Sequence, residues 1–201
     1  MQLADIIINL VIFGITAALL VVFGREDGAW TKSRLRVAFR FFTCQSNVLC
    51  AAGALLTACA AMAGEGPRWI WTIKYIGTVA VTVTMVTVFV YLAPAVGRGW
   101  AKRLITKPHD MGMHVVTPLL AILSFCLLEK RGMSFAWSLW GLLPVALYGP
   151  LYLYKIIYAS EGKSWEDFYG FNKNGKWKKA YCAMFLFSLL LCVIYWLLQN
   201  A

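Results

Sequence analysis

Long apolar runs follow one another along almost the whole of this chain. Each contains about 20 mainly apolar residues, the length that a helix needs to cross a hydrocarbon layer of about 30 Å. Of the 201 residues, 61% are hydrophobic and 14% are charged, against about 25% charged residues in soluble domains. Because hydrocarbon offers no hydrogen-bond partners, backbone amides inside a membrane must be satisfied within helices. We therefore expect an all-α, polytopic membrane protein with a single domain over residues 1–201.

The apolar runs predict six transmembrane helices in one compact bundle. Their approximate bounds are 3–23, 37–62, 69–96, 111–129, 134–158 and 179–199. The connections are short, so consecutive helices are expected to be antiparallel neighbours. The first run is longer than the core of a signal peptide and has no basic residue before it, so we expect it to be retained.

Basic residues divide unevenly between the two sides of the predicted bundle. Of 19 lysines and arginines, four fall on one side, namely Arg68, Lys74, Lys130 and Arg131. Loops rich in lysine and arginine stay in the cytoplasm, so both termini are expected on the non-cytoplasmic side of a bacterial inner (plasma) membrane. The net charge of +10 then reflects loops beside anionic head groups, and we do not expect nucleic acid as a partner.

Four neighbouring polar groups interrupt the second apolar run. Residues 41–50 read Phe-Phe-Thr-Cys-Gln-Ser-Asn-Val-Leu-Cys. Polar side chains at membrane depth face a bundle interior or a cavity and indicate a functional site by default. Thr43 is six residues beyond the predicted start of its helix, and His114 is six residues beyond Pro108 in the fourth run. At 1.5 Å per residue, the two side chains are expected at the same depth in the same leaflet.

Thr43 and His114 form a candidate catalytic pair for acyl transfer. A threonine hydroxyl becomes a nucleophile when a base within hydrogen-bond reach removes its proton, and neutral imidazole is such a base. Gln45, Ser46 and Asn47 are the nearby candidates to bind the oxyanion or position the substrate. Ser46 is also a rival nucleophile, one helical turn from Thr43.

Other polar side chains have either a functional or a packing interpretation. The candidates for lining a cavity are Thr78, Thr82, Thr117 and Tyr148. Packing is the alternative for the threonines and for the polar run itself, because such side chains often hydrogen-bond across membrane-helix interfaces. Asn9 is expected to bond between helices, and Tyr152 to anchor its helix in the aromatic belt.

We expect no metal ion and no cofactor. A zinc site needs three or four ligands, and His109 and His114 lie on one helix with divergent directions, unlike the two ligands of a haem. Asp110 is the acidic candidate to orient His114. Six cysteines lie inside apolar runs without a Cys-x-x-Cys pair, so we interpret them as reduced, small apolar residues.

The connection at 160–179 contains five aromatic residues among charges, which is too apolar for a solvated linker: Trp165, Phe168, Tyr169, Phe171 and Trp177. We predict that this segment lies on the cytoplasmic membrane surface and covers the mouth of the cavity.

Two motifs carry a family resemblance. Phe-Thr-x-Gln-Ser-Asn at 42–47 and Gly-Met-His-Val-Val-Thr-Pro at 112–118 resemble the androgen-induced and androgen-dependent membrane hydrolase family, closest to its bacterial-type members. The resemblance implies a membrane threonine hydrolase with Thr43 as nucleophile and His114 as catalytic histidine. Animal members cleave fatty acid esters of hydroxy fatty acids. Met111 replaces a histidine of the family, and the residues after Thr43 are more polar than in the animal proteins, so the resemblance leaves the natural substrate open.

We therefore expect an intramembrane esterase that cleaves a lipid ester, a fatty acid ester of a hydroxy fatty acid or a similar molecule, through an acyl-threonine intermediate. Its expected partners are the lipid bilayer and a membrane lipid substrate with acyl chains. Two alternatives remain at this point. The same pair serves an acyltransferase if an alcohol or amine replaces water as acceptor. The polar residues instead line a pathway if the chain is a non-enzymatic lipid-binding or small-solute transport protein.

Overall fold

The computed structural model describes residues 2–26, 28–64, 66–92, 99, 102 and 106–201. The end of the predicted third span, which includes Pro94, lies outside the described residues. So do the basic loop residues Arg98 and Arg103. The helices, numbered in chain order, are α1 (Gln2–Phe23), α2 (Lys32–Ala38), α3 (Phe42–Met62), α4 (Arg68–Leu92), α5 (Pro108–Leu128), α6 (135–157) and α7 (Trp177–Asn200). An antiparallel hairpin of two short strands, β1 (Arg25–Glu26) and β2 (Ala29–Trp30), connects α1 to α2.

Three of these helices change their winding along their length. α4 is α-helical over Arg68–Thr87 and ends in a π-helical turn at Val88–Leu92. α5 alternates α-helical and π-helical turns, over Pro108–Met111, Gly112–Val116, Thr117–Leu123 and Ser124–Leu128. α6 consists of Phe135–Ser138, a 3₁₀ turn at Leu139–Leu142, and Leu143–Ile157.

Among the described residues, five helices are long and apolar enough to cross a membrane, namely α1, α3, α4, α5 and α7. Their outward faces are apolar: Leu3 is 70% exposed and Leu186 63%. Their inward faces carry polar groups, and Asn9 and Ser188 are fully buried. Exposed apolar faces of this extent mark a surface that contacts something other than water, so the chain is a helical membrane protein.

α4 is the central helix and contacts α3, α5, α6 and α7. Two glycines allow its backbone to approach that of α3. A Cβ atom on Gly77 would lie 2.6 Å from the Cα of Cys50, and one on Gly53 would lie 2.8 Å from the Cα of Lys74. Small residues at such contacts are the usual means by which membrane helices pack closely.

The structure differs from the predicted second span at its start. α2 ends at Ala38 and α3 begins at Phe42, so the predicted continuous helix from residue 37 is broken. Phe41 has an extended backbone, with φ −88° and ψ 134°, and its ring packs on Phe168 with centroids 4.3 Å apart. This aromatic contact overrides the local helical pattern. Thr43 therefore lies in the first turn of α3, not six residues inside a longer helix.

A buried charged cluster joins α1, α4 and α5 at the end of the bundle away from α2. Lys74 is fully buried and its Nζ lies 3.3 Å from Oε1 of Glu129. Asn9 accepts from Lys74 and donates to Glu129 and to Asp5, and Ser124 donates to both carboxylates. The predicted interhelical role of Asn9 is confirmed. Lys74 was counted with the basic residues at one membrane surface, and this was wrong. It lies inside the bundle, where the carboxylate of Glu129 stabilises it.

Candidate active site

The structure brings Thr43 and His114 together across the interface between α3 and α5. The Oγ1 of Thr43 lies 3.4 Å from Nε2 of His114. This distance is at the long end of the hydrogen-bond range, as is common in ligand-free sites whose catalytic bonds shorten around substrate. The two residues that the sequence singled out from runs about 70 positions apart thus share one site.

A backbone carbonyl orients the imidazole of His114. Its Nδ1 lies 2.9 Å from the main-chain oxygen of Asp110. A carbonyl only accepts hydrogen bonds, so Nδ1 carries the proton and Nε2 of the neutral ring presents its lone pair to Thr43. The sequence indicated the Asp110 carboxylate for this role. That carboxylate instead lies 3.4 Å from Nε2 of His109, and it is the main chain of Asp110 that bonds to the imidazole.

A π-helical turn, Gly112–Val116, surrounds His114. The N–H of Thr117 reaches back five residues to the carbonyl of Gly112. Pro118 follows, and a proline ring clashes with the carbonyl four residues earlier in a regular α-helix, here that of His114. The wider turn therefore lies where the proline disturbs regular winding. Such turns occur frequently at functional sites.

Asn47 links the backbones on which the two candidate catalytic residues stand. Its Nδ2 donates to the carbonyl of Thr43 at 2.8 Å and to that of Met113 at 3.1 Å. Met113 directly precedes His114, so this single amide fixes the spacing between α3 and α5 at the site. Both of its hydrogens are used in these bonds. Asn47 therefore positions the pair, a role different from the predicted oxyanion donor.

Ser46 and Gln45 also bond away from the Thr43 hydroxyl. The hydroxyl of Ser46 donates to the Thr43 carbonyl at 3.0 Å and lies 2.9 Å from Oγ1 of Thr84 on α4. The amide of Gln45 donates to the carbonyl of Phe39 at 2.8 Å. Among the described residues, these contacts secure the start of α3 and do not bring either side chain to the Thr43 hydroxyl.

Two cavities meet at Thr43. The first, called here the apolar cavity, is narrow, with a volume of about 40 Å³, and lies between α3, α4, α6 and α7; its lining includes Phe42, Val83, Val145, Tyr148 and Met184. The second, called here the cleft, has a volume of about 540 Å³ and is lined by residues of α2, α3 and α5, including Arg34, His109 and His114. The residues that line both are Thr43, Val88, Leu92 and Tyr169. Thr43 thus stands on the wall that the two spaces share.

The predicted cavity-lining residues separate into two groups. Tyr148 lines the apolar cavity, and its hydroxyl donates to the carbonyl of Arg40 at 2.7 Å. Thr78, Thr82 and Thr117 are buried and are not among the residues that line either cavity. Thr78 bonds to the carbonyl of Lys74, and Thr82 lies 2.7 Å from the hydroxyl of Tyr195. For these two threonines the structure favours the packing interpretation.

Tyr169 is a site residue that the sequence analysis named only as part of the aromatic 160–179 segment. Its hydroxyl accepts the backbone N–H of Phe42 at 3.0 Å and also interacts with the side chains of Thr43 and Tyr148. Desolvation of this hydroxyl raises the pKa of Tyr169 above its ordinary value, so the phenol stays protonated at neutral pH. The aromatic content of the sequence singled out the 160–179 segment, but only the fold shows that Tyr169 lies at the site.

Asp167 holds the segment that carries Tyr169. Its Oδ1 accepts from the Tyr152 hydroxyl and from the N–H of Phe171, each at 2.9 Å, and its Oδ2 accepts the N–H of Asn172 at 2.8 Å. The N–H of Tyr169 in turn donates to the Tyr152 hydroxyl at 3.1 Å. Tyr152 is fully buried. Its predicted role in an aromatic belt is therefore wrong, and it anchors the segment against α6.

In the described part of the chain, histidine, cysteine and carboxylate side chains form no group of three that would hold a metal ion.

A scan against protein-family profiles, a search of curated proteins and a search of solved structures each found no significant match to this chain. The functional assignment therefore depends on the geometry of the site.

Proposed function

We propose that this chain is an intramembrane hydrolase that cleaves a lipid ester through an acyl-threonine intermediate. The observation that carries the proposal is the Thr43 hydroxyl within reach of an oriented imidazole, on the wall between an apolar cavity and a wider cleft. A threonine that serves only packing needs neither the histidine nor the two spaces. The resemblance of the two motifs to membrane threonine hydrolases agrees with this assignment.

In the first half-reaction Thr43 Oγ1 attacks the ester carbonyl carbon, and its proton passes to Nε2 of His114. The carbonyl electron pair moves onto oxygen and gives a tetrahedral intermediate. When the intermediate collapses, the bond to the alcohol oxygen breaks, and the proton on Nε2 passes to that oxygen. The products of this step are the free alcohol and acyl-Thr43.

In the second half-reaction water attacks the acyl carbon while His114 accepts a proton from it. The bond to Thr43 Oγ1 then breaks, Thr43 recovers its proton from His114, and the carboxylic acid leaves. The main-chain oxygen of Asp110 holds the imidazole in one tautomer through both steps, so Nε2 faces the reacting oxygen each time.

We assign the two halves of the substrate to the two cavities. The apolar cavity accommodates the acyl chain, because its lining is almost wholly hydrocarbon and aromatic. The cleft, which carries Arg34 and His109 beside His114, accommodates the alcohol portion and admits water. In this proposal α6 is the sixth span, the cleft opens towards the cytoplasm, and the substrate enters from the surrounding leaflet of a bacterial plasma membrane.

A fluorophosphonate probe tests the proposal, because it reacts with an activated hydroxyl. We expect purified wild type to be labelled, Thr43→Ala and His114→Ala to lose labelling, and Ser46→Ala to keep it. Thr57→Ala, a buried threonine near the far end of α3, is the matched control. Because His114 must be neutral to accept the proton of Thr43, the labelling rate should fall as the pH is lowered.

Absence of labelling in folded wild type would contradict the hydrolase and favour the lipid-binding or transport alternative. An acyl-Thr43 species that transfers to added alcohols faster than to water would instead identify an acyltransferase. Mass spectrometry of the protein after brief exposure to p-nitrophenyl octanoate distinguishes these cases, because it detects the acyl adduct directly.

A further inference from the structure

The hydroxyl of Tyr169 lies at the start of α3, where it accepts the N–H of Phe42, the residue before Thr43, at 3.0 Å. It interacts with the side chain of Thr43, whose Oγ1 is the attacking atom of the proposed function. Tyr169 also lines both cavities, so it reaches an acyl group seated at their junction. The donors expected from the sequence were Gln45, Ser46 and Asn47. Their side chains instead form hydrogen bonds with backbone carbonyls and with Thr84.

The surroundings of Tyr169 make its hydroxyl a hydrogen-bond donor. Its oxygen accepts the N–H of Phe42, one of the first backbone amides of α3, and such amides lack partners within the helix. A hydroxyl that accepts one hydrogen bond is polarised into a stronger donor. The neighbouring Tyr148 hydroxyl donates to the carbonyl of Arg40, so its proton is not directed at the Tyr169 oxygen.

The position of Tyr169 is fixed before substrate binds. Its own N–H is held by the Tyr152 hydroxyl, and Tyr152 is held by Asp167. Phe168, the preceding residue, packs on Phe41 at the entrance to α3. Donors held in place in this way stabilise a developing oxyanion without reorganisation, and removing one of them typically costs 10²–10³ in kcat.

We propose that Tyr169 is the oxyanion donor of this site, a catalytic residue contributed by the segment between α6 and α7. The inference rests on the proposed function. As Thr43 Oγ1 bonds to the ester carbon, the carbonyl oxygen gains the electron pair of the broken π bond. The Tyr169 O–H donates to that oxygen. When the leaving oxygen departs, the electron pair re-forms the C=O π bond and the negative charge leaves the carbonyl oxygen, and the proton of Tyr169 is never transferred.

The test compares wild type, Tyr169→Phe, Thr43→Ala and Tyr158→Phe as purified proteins, with p-nitrophenyl octanoate as the probe ester. Tyr158 ends the same helix that carries Tyr148 but is 66% exposed, so it is the matched control for loss of a hydroxyl. We expect Tyr169→Phe to lower kcat about 100-fold with KM changed less than threefold. A trifluoromethyl ketone, which forms the tetrahedral adduct, should lose affinity by a similar factor.

The outcomes separate this inference from the proposed function. If Thr43→Ala is inactive but Tyr169→Phe keeps kcat within threefold of wild type, Tyr169 is not the donor and the hydrolase stands. If wild type shows no turnover dependent on Thr43, the proposed function fails and this inference fails with it. A Tyr169→Phe variant that loses thermal stability but retains kcat and ketone affinity would assign the hydroxyl to capping α3 alone.

Discussion

At the scale of single residues, the site depends on side chains whose bonding directions the sequence does not specify. Thr43 and His114 could be singled out from the sequence, because both are polar side chains at the same expected depth in apolar runs, and the fold brings them within 3.4 Å of each other. Asn47 was predicted as a donor to substrate, yet both of its hydrogens bind backbone carbonyls. Tyr169 lies 126 positions from Thr43 in sequence, and only tertiary packing brings it there.

Asn47→Leu should uncouple the two candidate catalytic residues while keeping side-chain volume. The substitution removes the bonds to the carbonyls of Thr43 and Met113. The Thr43 carbonyl keeps the hydrogen bond from Ser46, but the Met113 carbonyl loses its side-chain donor, and an unsatisfied buried group costs about 1–3 kcal/mol. We expect a lower unfolding temperature in detergent and at least a tenfold lower rate of fluorophosphonate labelling. Thr57→Val is the control, since the Thr57 hydroxyl is buried without a hydrogen-bond partner among the described residues. Labelling at the wild-type rate in Asn47→Leu would remove Asn47 from the site.

At the scale of helices, hydrophobic periodicity predicted the elements and failed where packing intervened. Pro108 was expected to begin a helix, and it does. The break between α2 and α3 was not expected, because residues 37–42 are as apolar as a continuing helix. The contact of Phe41 with Phe168 comes from a segment far along the chain. The π-helical turn at Gly112–Val116 was also not expected, because a regular period of 3.6 residues does not represent such a turn.

The close approach of α3 and α4 leads to a prediction for Gly77→Ala. The added Cβ would lie 2.6 Å from the Cα of Cys50, and the obstacle is backbone, so one helix must move. Overpacking of this kind costs about 1–3 kcal/mol, and we expect a clear loss of thermal stability. Because Ser46 on α3 bonds Thr84 on α4, the displacement should also slow labelling. Gly14→Ala, which meets no atom within 4 Å among the described residues, should not lower thermal stability, because alanine is the better helix former, and should leave labelling unchanged.

At the scale of the whole molecule, the bundle separates two polar regions. One is the candidate active site around Thr43 and His114, near α2 and the segment before α7. The other is the cluster of Lys74, Glu129 and Asp5 at the opposite end. The apolar composition predicted a membrane protein, because surrounding hydrocarbon favours exposed apolar faces and buried polar groups. It did not predict the second region, because Lys74 is close enough to a loop in sequence to look interfacial.

The cluster should contribute to stability through pairing and not through the charge of Lys74 alone. Lys74→Met would leave the buried carboxylate of Glu129 and the half-buried carboxylate of Asp5 without their cation, and breaking a buried pair from one side costs about 3–5 kcal/mol. Replacing both partners avoids that cost, so Lys74→Met combined with Glu129→Gln should recover at least half of the stability lost. Lys130→Met, an exposed neighbour, controls for charge. Thermal unfolding of the four proteins in detergent measures this, and a double variant less stable than Lys74→Met would show that each charge is stabilised by separate contacts.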